Sequence, residues 1–421
     1  MNLNTGILTI GNELTSGRIQ DANSSMIARA MREQGWPVAA MLSVGDDDAA
    51  IHDALAFLLD RVDGLVVTGG LGPTTDDITT AAVAKALGLE LYSDPTVLAR
   101  VRSFFERRGL IWTENNAKQA IFPQGAMVIP NPVGTAPGFA LRREEKIIAV
   151  MPGVPVEARR MLVEGVIPLF REAFPEAALH VETATFKLFG LGESAVDDAL
   201  ADAALAGLGV GLGSYPNFPE IHLVLTARED TVEASAEKLR EAGKRVEARL
   251  AKYIFARNDE TLAGSVAGRL TEKGLTLAVA ESCTGGLITD RLTDIPGSSA
   301  FLERGAVTYS NAAKTALLDV PEEVIRDHGA VSVETARLMA EGVRKSAGTD
   351  LGLSVTGIAG PSGGTETKPV GTTFVALADG KTTVCRPYAF RWDRRRNKFM
   401  ASQVALMMLW RYLKGDLRGD E

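Results

Sequence analysis

Residues 280–286 (AESCTGG) place a serine, Ser282, where an apolar strand is predicted to run into the start of a helix. The first N–H groups of a helix have no partner within it, so they could hold an oxyanion while the hydroxyl attacks a carbonyl carbon. Two other roles stay open: Ser282 could be only an N-cap, and Cys283 could be the nucleophile instead. The turn therefore predicts amide hydrolysis, provided that a base lies nearby.

Two candidate bases, Tyr309 and Lys314, follow a second predicted strand-to-helix junction. A lysine acts as a base only when its pKa is lowered, and burial near a helix N-terminus would lower it. Lys314 could also be an ordinary solvated side chain of the helix. The residues leave open which of the two takes the proton from Ser282.

A glycine-rich loop, residues 356–364 (TGIAGPSGG), follows a third predicted strand, and Lys368 and Gly371 come shortly after it. Glycine-rich backbone together with a lysine suits a phosphate group. Arg394 could add a bidentate contact to the same phosphate. Glycine-rich loops are often ordinary turns, but three loops of this kind at strand ends in one region form a stronger pattern.

The N-terminal region offers a second set of loops. Residues 69–77 (GGLGPTTDD) follow a predicted strand, and their glycines and Thr74 could cradle a phosphate while Asp76 and Asp77 hold a divalent metal. A capped helix start is the alternative role for the two aspartates. Other loops that could face the same pocket are residues 11–14, 23–24, 131–138 and 152–157.

Strands alternate with helices in both terminal regions, which predicts βαβ units and mostly parallel sheets. Ligands of such sheets bind beyond the carboxyl ends of the strands, where these loops lie. We predict an α/β fold class: two three-layer α/β domains, residues 1–171 and 258–421, joined by a small α+β domain, residues 172–257.

The elements are predicted from apolar spacing. The predicted strands are residues 7–10, 38–42, 64–68, 183–189, 220–226, 275–280, 306–309, 351–355, 372–377 and 383–390. The predicted helices are residues 22–34, 48–61, 230–251, 261–273, 311–318, 333–347 and 395–413, with a further helix from residue 78 onward.

Composition narrows the class of protein. The chain has 421 residues, of which 46% are hydrophobic, so it can fill two or three domain cores. Two cysteines exclude a disulfide scaffold and fit a reducing compartment. The net charge of −8 argues against nucleic acid as a partner, and no apolar run is long enough for a membrane span. The N-terminus lacks a secretory signal, so we expect a cytoplasmic protein that acts on small molecules.

Residues 260–413 resemble the C-terminal domain of the competence/damage-inducible CinA family, which also occurs alone as nicotinamide mononucleotide (NMN) deamidase. The resemblance rests on residues 280–286, 296–299 (PGSS), 309–311 (YSN) with Lys314, 329–332 (GAVS), 356–361 and 368–372 (KPVGT). It implies hydrolysis of NMN to nicotinate mononucleotide and ammonia, with Ser282 as nucleophile, Tyr309 and Lys314 as its catalytic partners, and no cofactor. Near the end the family usually has Gly-Asp-Arg, whereas this chain has Trp392-Asp393-Arg394. The substrate-binding residues expected at this site are Thr284, Gly285, Thr356, Gly357, Gly360, Lys368 and Arg394.

The N-terminal region resembles the molybdopterin-binding fold of the same family through residues 69–77 and 131–138. The resemblance implies a divalent metal ion, Mg²⁺ or similar, and hydrolysis of ADP-ribose to AMP and ribose 5-phosphate. The substrate-binding residues expected here are Asn23, Gly69, Gly70, Gly72, Thr74, Gly134 and Thr135. The expected metal ligands, chosen by residue type, are Asp76, Asp77 and Glu157. Ala22 stands where the family more often has threonine.

The middle region resembles the family's KH-like domain, and residues 190–193 (GLGE) are similar to a KH backbone-clamping loop. Acidic residues that follow oppose RNA binding, so we predict a spacer or a dimerisation module, and the resemblance implies a homodimer. The leading hypothesis is a pyridine-nucleotide salvage enzyme with two sites. The alternatives are a non-enzymatic nucleotide- or pterin-binding protein associated with competence or DNA damage, and an enzyme with one active and one degenerate site.

Overall fold

The computed structural model describes residues 3–177 and 180–417. They group into two compact units, one of residues up to 183 together with 226–240, the other of residues 184–225 together with those from 241 onward. Each unit takes in part of the middle region. The division of the chain into three domains therefore stays a prediction.

A six-stranded sheet is the centre of the first unit. The strands of this unit are β1 Thr5–Ile10, β2 Val38–Val44, β3 Gly64–Thr68, β4 Leu91–Ser93, β5 Ile121–Pro123, β6 Met127–Ile129, β7 Gly138–Arg143 and β8 Lys146–Met151. The order in the main sheet is β2-β1-β3-β8-β7-β6, and β4 pairs separately with β5. The first four of these strands are parallel, whereas β7 and β6 continue the sheet antiparallel.

Helices cover both faces of this sheet. They are α1 Asn12–Thr15, α2 Ala22–Glu33, α3 Asp48–Leu59, α4 Thr79–Ala86, α5 Pro95–Arg107, α6 Pro155–Met161 and α7 Ile167–Ala173, with a π-helical turn at Leu162–Val166 and 3-10 turns at Glu114–Ala120 and Pro175–Ala177. Neighbouring residues of β1 point into different cores: Leu8 packs with Ile51 of α3, and Ile7 packs with Ile27 of α2 and Phe170 of α7. Because both faces are buried, the strand is apolar at consecutive positions.

The middle region contains β9 His180–Leu188, α8 Glu193–Leu200, β10 Gly211–Asn217, β11 Glu220–Glu229, α9 Val232–Leu250 and β12 Ile254–Arg257, with 3-10 turns at Ala201–Ala203 and Ala206–Leu208. Its sheet has the order β10-β11-β9-β12. Phe218 and Pro219 form the short connection between β10 and β11. The sequence did not predict β10, because most of its residues are exposed and it lacks an apolar face.

The C-terminal part of the second unit has a five-stranded sheet of order β14-β13-β15-β16-β17. Its strands are β13 Leu277–Glu281, β14 Leu302–Val307, β15 Leu351–Gly357, β16 Thr372–Ala378 and β17 Thr383–Ala389. Strands β14, β13 and β15 are parallel, and β16 and β17 are the predicted antiparallel pair. The helices are α10 Leu262–Lys273, α11 Leu287–Thr293, α12 Asn311–Leu318, α13 Glu322–His328, α14 Val333–Ala347 and α15 Arg394–Lys414, with a 3-10 turn at Ser298–Ala300.

This sheet is again the middle of three layers. Val279 of β13 packs with Leu270 of α10 and Leu406 of α15 on one face. Ala280 of the same strand packs with Met339 of α14 on the other face. The α/β class with parallel strands at the centre of each main sheet is therefore confirmed. No helix in the described ranges has the length and apolarity that a bilayer crossing requires.

Several predicted boundaries at the site differ from the observed ones. Strand β14 spans Leu302–Val307 rather than residues 306–309, because as an edge strand it is largely exposed and its polar residues hid its extent. Strand β13 spans Leu277–Glu281 rather than residues 275–280. Helix α11 begins at Leu287, so a turn of five residues separates β13 from it. Ser282 therefore lies in that turn and not at the start of the helix.

Candidate active site

Ser282 is held directly beyond the end of β13. Its N–H donates to the Val355 carbonyl at 3.0 Å, which continues the sheet pairing with β15 by one residue. Its carbonyl accepts from Gly285 N–H at 3.1 Å and closes the turn. Gly285 and Gly286 have φ of 64° and 98°, values that favour glycine, so the residue types in the turn follow from its shape. Ser282 is not an N-cap, since Gly286 occupies that position of α11.

Glu281 is a fully buried carboxylate that organises the turn. Its Oε2 accepts from the N–H groups of Gly286 at 3.0 Å and Ile288 at 3.1 Å. Its Oε1 accepts from the N–H and hydroxyl of Thr289 at 2.8 and 2.7 Å. The carboxylate therefore occupies the N–H groups of Ile288 and Thr289 at the start of α11, which makes these two groups unavailable for the oxyanion that the sequence analysis placed there. The sequence offered one signal: a glutamate at the end of a buried strand is almost always paired.

Lys314 lies beneath Ser282 with only 1% of its surface exposed. Ser310 caps α12 by accepting from Ala313 N–H, and Lys314 comes one turn later on the buried side of the helix. Its Nζ donates to Ser282 Oγ at 3.2 Å and to the Thr308 carbonyl at 2.8 Å. Burial lowers the pKa of Lys314 below its ordinary value, and the neighbouring Cys283 partly opposes the effect. A buried amine whose pKa is lowered, and which lies beside a hydroxyl, can act as its base.

Cys283 is less suited than Ser282 to act as a nucleophile. Burial raises the pKa of its thiol to about 12, with a further rise from the charge of Glu281. Only the thiolate is strongly nucleophilic, and a thiol with this pKa stays protonated at neutral pH. In addition, a Cβ at Gly357 would lie 3.1 Å from Cys283 Sγ, so this thiol packs closely against the adjacent strand.

Ser282 and Lys314 line a pocket of about 170 Å³. Tyr309 is 62% exposed and stands at its mouth, where its Oη accepts from Arg394 Nη2 at 3.1 Å. The other guanidinium nitrogen, Nη1, donates to the Gly360 carbonyl at 2.6 Å. The guanidinium therefore joins the loop after β15 to Tyr309 and lies at the edge of the pocket.

The remaining predicted residues of this site divide into two groups. Thr356 and Gly357 line the pocket, although the Thr356 hydroxyl is already occupied in donating to the Ala330 carbonyl at 2.7 Å. Lys368 donates instead to the His328 carbonyl at 2.7 Å. Thr284 is fully buried, and its hydroxyl has no partner in the described ranges. Pocket residues to which the sequence analysis gave no role are Asn311, Ala330, Val331 and Ala359.

The loop after β3 in the first unit is tightly constrained. Gly69 has φ of 111°, and a Cβ there would collide with the Ile10 carbonyl. Asp77 Oδ2 accepts from the N–H of Thr74 at 2.8 Å and from its hydroxyl at 2.6 Å. Asp77 therefore shapes the glycine loop, and Gly70, Gly72 and Asp77 lie around one small cavity together with Lys118.

Two predicted residues of the first unit hold neighbouring loops. Glu157 Oε2 accepts from Asn131 Nδ2 at 2.7 Å, and a Cβ at Gly134 would collide with its carboxylate. Asn23 Nδ2 donates to the Gly153 carbonyl at 2.7 Å, which ties α2 to the loop before α6. Glu157 and Asn23 are therefore positioned as loop supports.

Gly134 and Thr135 line a cavity of about 110 Å³ beside Arg100 and Arg107 of α5. Neither arginine was predicted from the sequence, although their seven-residue spacing on one helix was an available signal. Another cavity of this unit, of about 640 Å³, is lined by residues of α2, α6 and the π-helical turn, and none of the glycine-rich motifs lines it.

The predicted metal ligands are not gathered into one cluster. In the described part of the chain, no group of three histidine, cysteine, aspartate or glutamate residues is arranged to hold a metal ion. Asp76 accepts from the Thr75 hydroxyl, Asp77 from Thr74 and Glu157 from Asn131. Mg²⁺ often takes only one or two carboxylates and completes its shell with substrate phosphates and water. The metal ion at this loop stays a prediction.

Family comparisons match successive parts of the chain. Residues 259–413 match the family described as "CinA C-terminal domain". Residues 183–256 match "Damage-inducible protein CinA KH domain", and residues 6–172 match "Probable molybdopterin binding domain". The fold and the site define the class: an α/β protein with a serine–lysine pair at the carboxyl ends of parallel strands.

Whole-length relatives then give the family. The chain is 62% identical over 409 residues to a CinA-like protein of Syntrophus aciditrophicus, covering 97% of each chain. It is 44% identical over 413 residues to a CinA-like protein of Syntrophotalea carbinolica, covering 98% of this chain and 99% of the relative. This chain belongs to the CinA family. A solved structure of the competence/damage inducible protein CihA from Agrobacterium tumefaciens is 39% identical and covers 36% of this chain and 93% of its own, with a TM-score of 0.35.

Proposed function

We propose that this protein hydrolyses the carboxamide of NMN to nicotinate mononucleotide and ammonia at Ser282. The observation that carries the proposal is the buried amine of Lys314, 3.2 Å from Ser282 Oγ, at the floor of a pocket. Lys314 is 1% exposed and forms no ion pair with a carboxylate of residues 3–177 or 180–417, so its burial is energetically costly, and such a buried charge favours a functional role. Membership of the CinA family supports the proposal, because the resemblance of residues 260–413 to the C-terminal domain of that family implies NMN hydrolysis.

The proposed reaction begins with a proton transfer. Neutral Lys314 accepts the Ser282 proton while Oγ bonds to the amide carbon. An N–H of the Lys314 amine donates to the Thr308 carbonyl, and this hydrogen bond keeps the amine in place. Glu281 holds the N–H groups of Gly286, Ile288 and Thr289, so we assign the oxyanion to the amides of Cys283 and Thr284 in the turn. Neither of these two amides donates to a backbone carbonyl within the described ranges.

The second half of the reaction regenerates the enzyme. The C–N bond breaks, Lys314 returns its proton to the leaving nitrogen, and ammonia departs. Ser282 then carries the nicotinoyl group as an ester. Water, losing a proton to Lys314, adds to this ester; nicotinate mononucleotide leaves and Ser282 recovers its proton. One lysine thus serves as base and acid in turn.

Arg394 and Tyr309 are the proposed contacts for the rest of the nucleotide. Arg394 is always charged and has a planar guanidinium, which suits a phosphate. Its side chain is exposed at the edge of the pocket and donates to Tyr309 Oη. We expect Tyr309 to contact the substrate rather than to take the Ser282 proton, because the buried lysine already holds that hydroxyl.

The test is ammonia release from NMN by wild type, Ser282→Ala and Cys283→Ala. We expect Ser282→Ala to lose activity by at least about 10³-fold, as for removal of a nucleophile. Cys283→Ala, its matched neighbour, should stay within a few-fold of wild type because its thiol remains protonated. Equal rates for wild type and Ser282→Ala would rule out Ser282 as nucleophile, and loss in Cys283→Ala alone would move the role to the cysteine.

We propose a second activity for the first unit, hydrolysis of ADP-ribose to AMP and ribose 5-phosphate. The supporting observation is that Gly134 and Thr135 line one cavity with Arg100 and Arg107, which supplies positive charge for a diphosphate. The carboxylates of Asp76 and Asp77 are the proposed metal contacts, and the ion would neutralise phosphate charge when bound. AMP formation should depend on added Mg²⁺. An equal rate of AMP formation with and without excess chelator would exclude a role for the metal ion in this reaction.

A further inference from the structure

The connection between β10 and β11 lies against the residues that carry Arg394. The Phe218 ring packs edge-on against the Trp392 ring with their centres 5.3 Å apart. The guanidinium of Arg396 lies 5.2 Å from the centre of the Phe218 ring and 5.7 Å from that of Trp392. Trp392 and Arg396 therefore bracket Arg394 in sequence and both contact Phe218. Edge-to-face aromatic pairs and cation–π contacts of this kind hold side chains in place.

Hydrogen bonds to α15 also hold the β10–β11 connection. Glu220, the first residue of β11, accepts from Gln403 Nε2 at 2.9 Å, and Gln403 is fully buried in α15. Gln403 Oε1 in turn accepts from Arg291 Nη2 at 2.7 Å. Arg291 belongs to α11, the helix whose first turn is held by Glu281. A partly buried chain of hydrogen bonds thus joins β11 to α15 and α11.

Local hydrogen bonds hold the start of α15, and the contact between Phe218 and Trp392 adds to them. Asp393 caps the helix by accepting from Arg396 N–H at 3.0 Å. Asn397 accepts from Trp392 N–H at 3.1 Å and donates to the Ala359 carbonyl at 3.1 Å, next to the pocket. These bonds fix the backbone of the segment, whereas the Trp392 ring, which is 48% exposed, packs against Phe218 of the β10–β11 connection and Arg396 of α15.

We propose that Phe218 is a positioning residue for Arg394, so that the β10–β11 connection of the middle region sets phosphate affinity at the Ser282 pocket. The inference rests on the proposed NMN hydrolysis for its substrate. Phe218 acts through Trp392 on the orientation of the first turn of α15. It does not touch Ser282 or Lys314, so it affects substrate binding and not the chemical step.

The test compares Phe218→Ala with Tyr215→Ala, an exposed aromatic on the same hairpin that serves as control. We expect Phe218→Ala to raise KM for NMN about 3- to 10-fold with kcat nearly unchanged, the loss expected for a weakened contact to a charged group. Nicotinamide riboside, which lacks the phosphate, should show no change in KM. Phe218→Tyr should restore wild-type KM, and Tyr215→Ala should match wild type.

Hydrogen exchange of residues 392–397 gives an independent readout that needs no substrate. Faster exchange there in Phe218→Ala, but not in Tyr215→Ala, is expected if the ring orders this turn. Unchanged exchange, an unchanged KM for NMN, or an equal rise of KM for NMN and the riboside would each overturn the positioning role. If wild type releases no ammonia from NMN, the proposed reaction fails, and exchange alone decides whether Phe218 orders the turn.

Discussion

Ser282 and Cys283 are neighbours in the chain, but their surroundings give them opposite chemistry. Cys283 packs against β15 and is buried, and burial raises its pKa to about 12. Ser282 Oγ, one residue earlier, faces the pocket and the amine of Lys314. A hydroxyl is a poorer nucleophile than a thiolate, but here the hydroxyl is hydrogen-bonded to the Lys314 amine, whereas the thiol stays protonated. The local geometry therefore decides between two residues that the sequence left as alternatives.

The pH dependence of kcat/KM tests Lys314 as the base. Only neutral Lys314 can accept the Ser282 proton, and burial lowers its pKa from 10.5. We therefore expect kcat/KM to rise with pH through the lowered pKa and to reach its plateau before the range of an ordinary lysine. The guanidinium in Lys314→Arg cannot lose its proton. If kcat/KM rises with pH in this variant as it does in wild type, another group is titrating.

Lys314→Met should make the protein more stable while abolishing NMN hydrolysis. Wild type pays for desolvating an amine that is 1% exposed, and a methionine of similar length removes that cost. We expect a gain on the order of 1 kcal/mol in the free energy of unfolding at neutral pH. Urea denaturation measures it, and Lys381→Met, at an exposed lysine, is the control.

The sign of the pH effect on stability follows from the same lowered pKa. Between the lowered pKa and 10.5, the unfolded state binds the Lys314 proton and the folded state does not. Wild-type stability should therefore rise with pH across that window relative to Lys314→Met. A difference between the two proteins that stays constant across the window would contradict the assignment of the shift to Lys314.

At the scale of elements, the turn between β13 and α11 depends on one carboxylate. We expect Glu281→Gln to cost about 2–3 kcal/mol of stability, because an amide nitrogen would face N–H groups that now donate to a charged oxygen. NMN hydrolysis should fall as well, since Ser282 begins that turn. Thermal unfolding with Glu303→Gln, at an exposed glutamate of β14, as control measures the effect. Wild-type stability in Glu281→Gln would show that the carboxylate does not hold the turn.

The elements that the sequence predicted well are those with a strong apolar pattern. Strand β3 was predicted at its observed bounds because all five of its residues are buried, and α14 because its buried face has helical spacing. The edge strand β14 was misplaced, since exposure removes that pattern. The apolar pattern of a sequence reflects which residues are buried. It therefore predicts the bounds of a helix or strand accurately only where buried residues extend along the whole element.

The residue types of the site were predictable from the sequence, and so was a base for Ser282, but the contacts that hold the site together were not. Ser282, Lys314, Tyr309 and Arg394 were chosen from loops at strand ends, and the structure brings them around one pocket. The bonds of Glu281 depend on how a side chain folds back over its own turn. The contact of Phe218 with Trp392 spans a long stretch of chain between two turns, and no local spacing encodes such a contact.

At the scale of the whole molecule, the two proposed sites are built from separate hydrogen-bond networks in separate units. Asp77 binds Thr74 in the first unit, and Lys314 binds Ser282 in the second. A substitution that breaks one network leaves the bonds of the other in place. Mutations that are distant and share no partners usually have additive effects.

We therefore expect the two activities to be lost one at a time. Asp77→Asn should lower AMP formation from ADP-ribose by at least about 10-fold, since an amide nitrogen in place of Oδ2 would face the Thr74 N–H and weaken the glycine loop. Ammonia release from NMN should stay at the wild-type rate in this variant, and Ser282→Ala should show the reverse. Asp60→Asn, at an exposed aspartate that ends α3, is the matched control. Loss of both activities in either variant, with the fold intact by circular dichroism, would mean that the two networks are coupled, because neither substitution removes a bond from the other site.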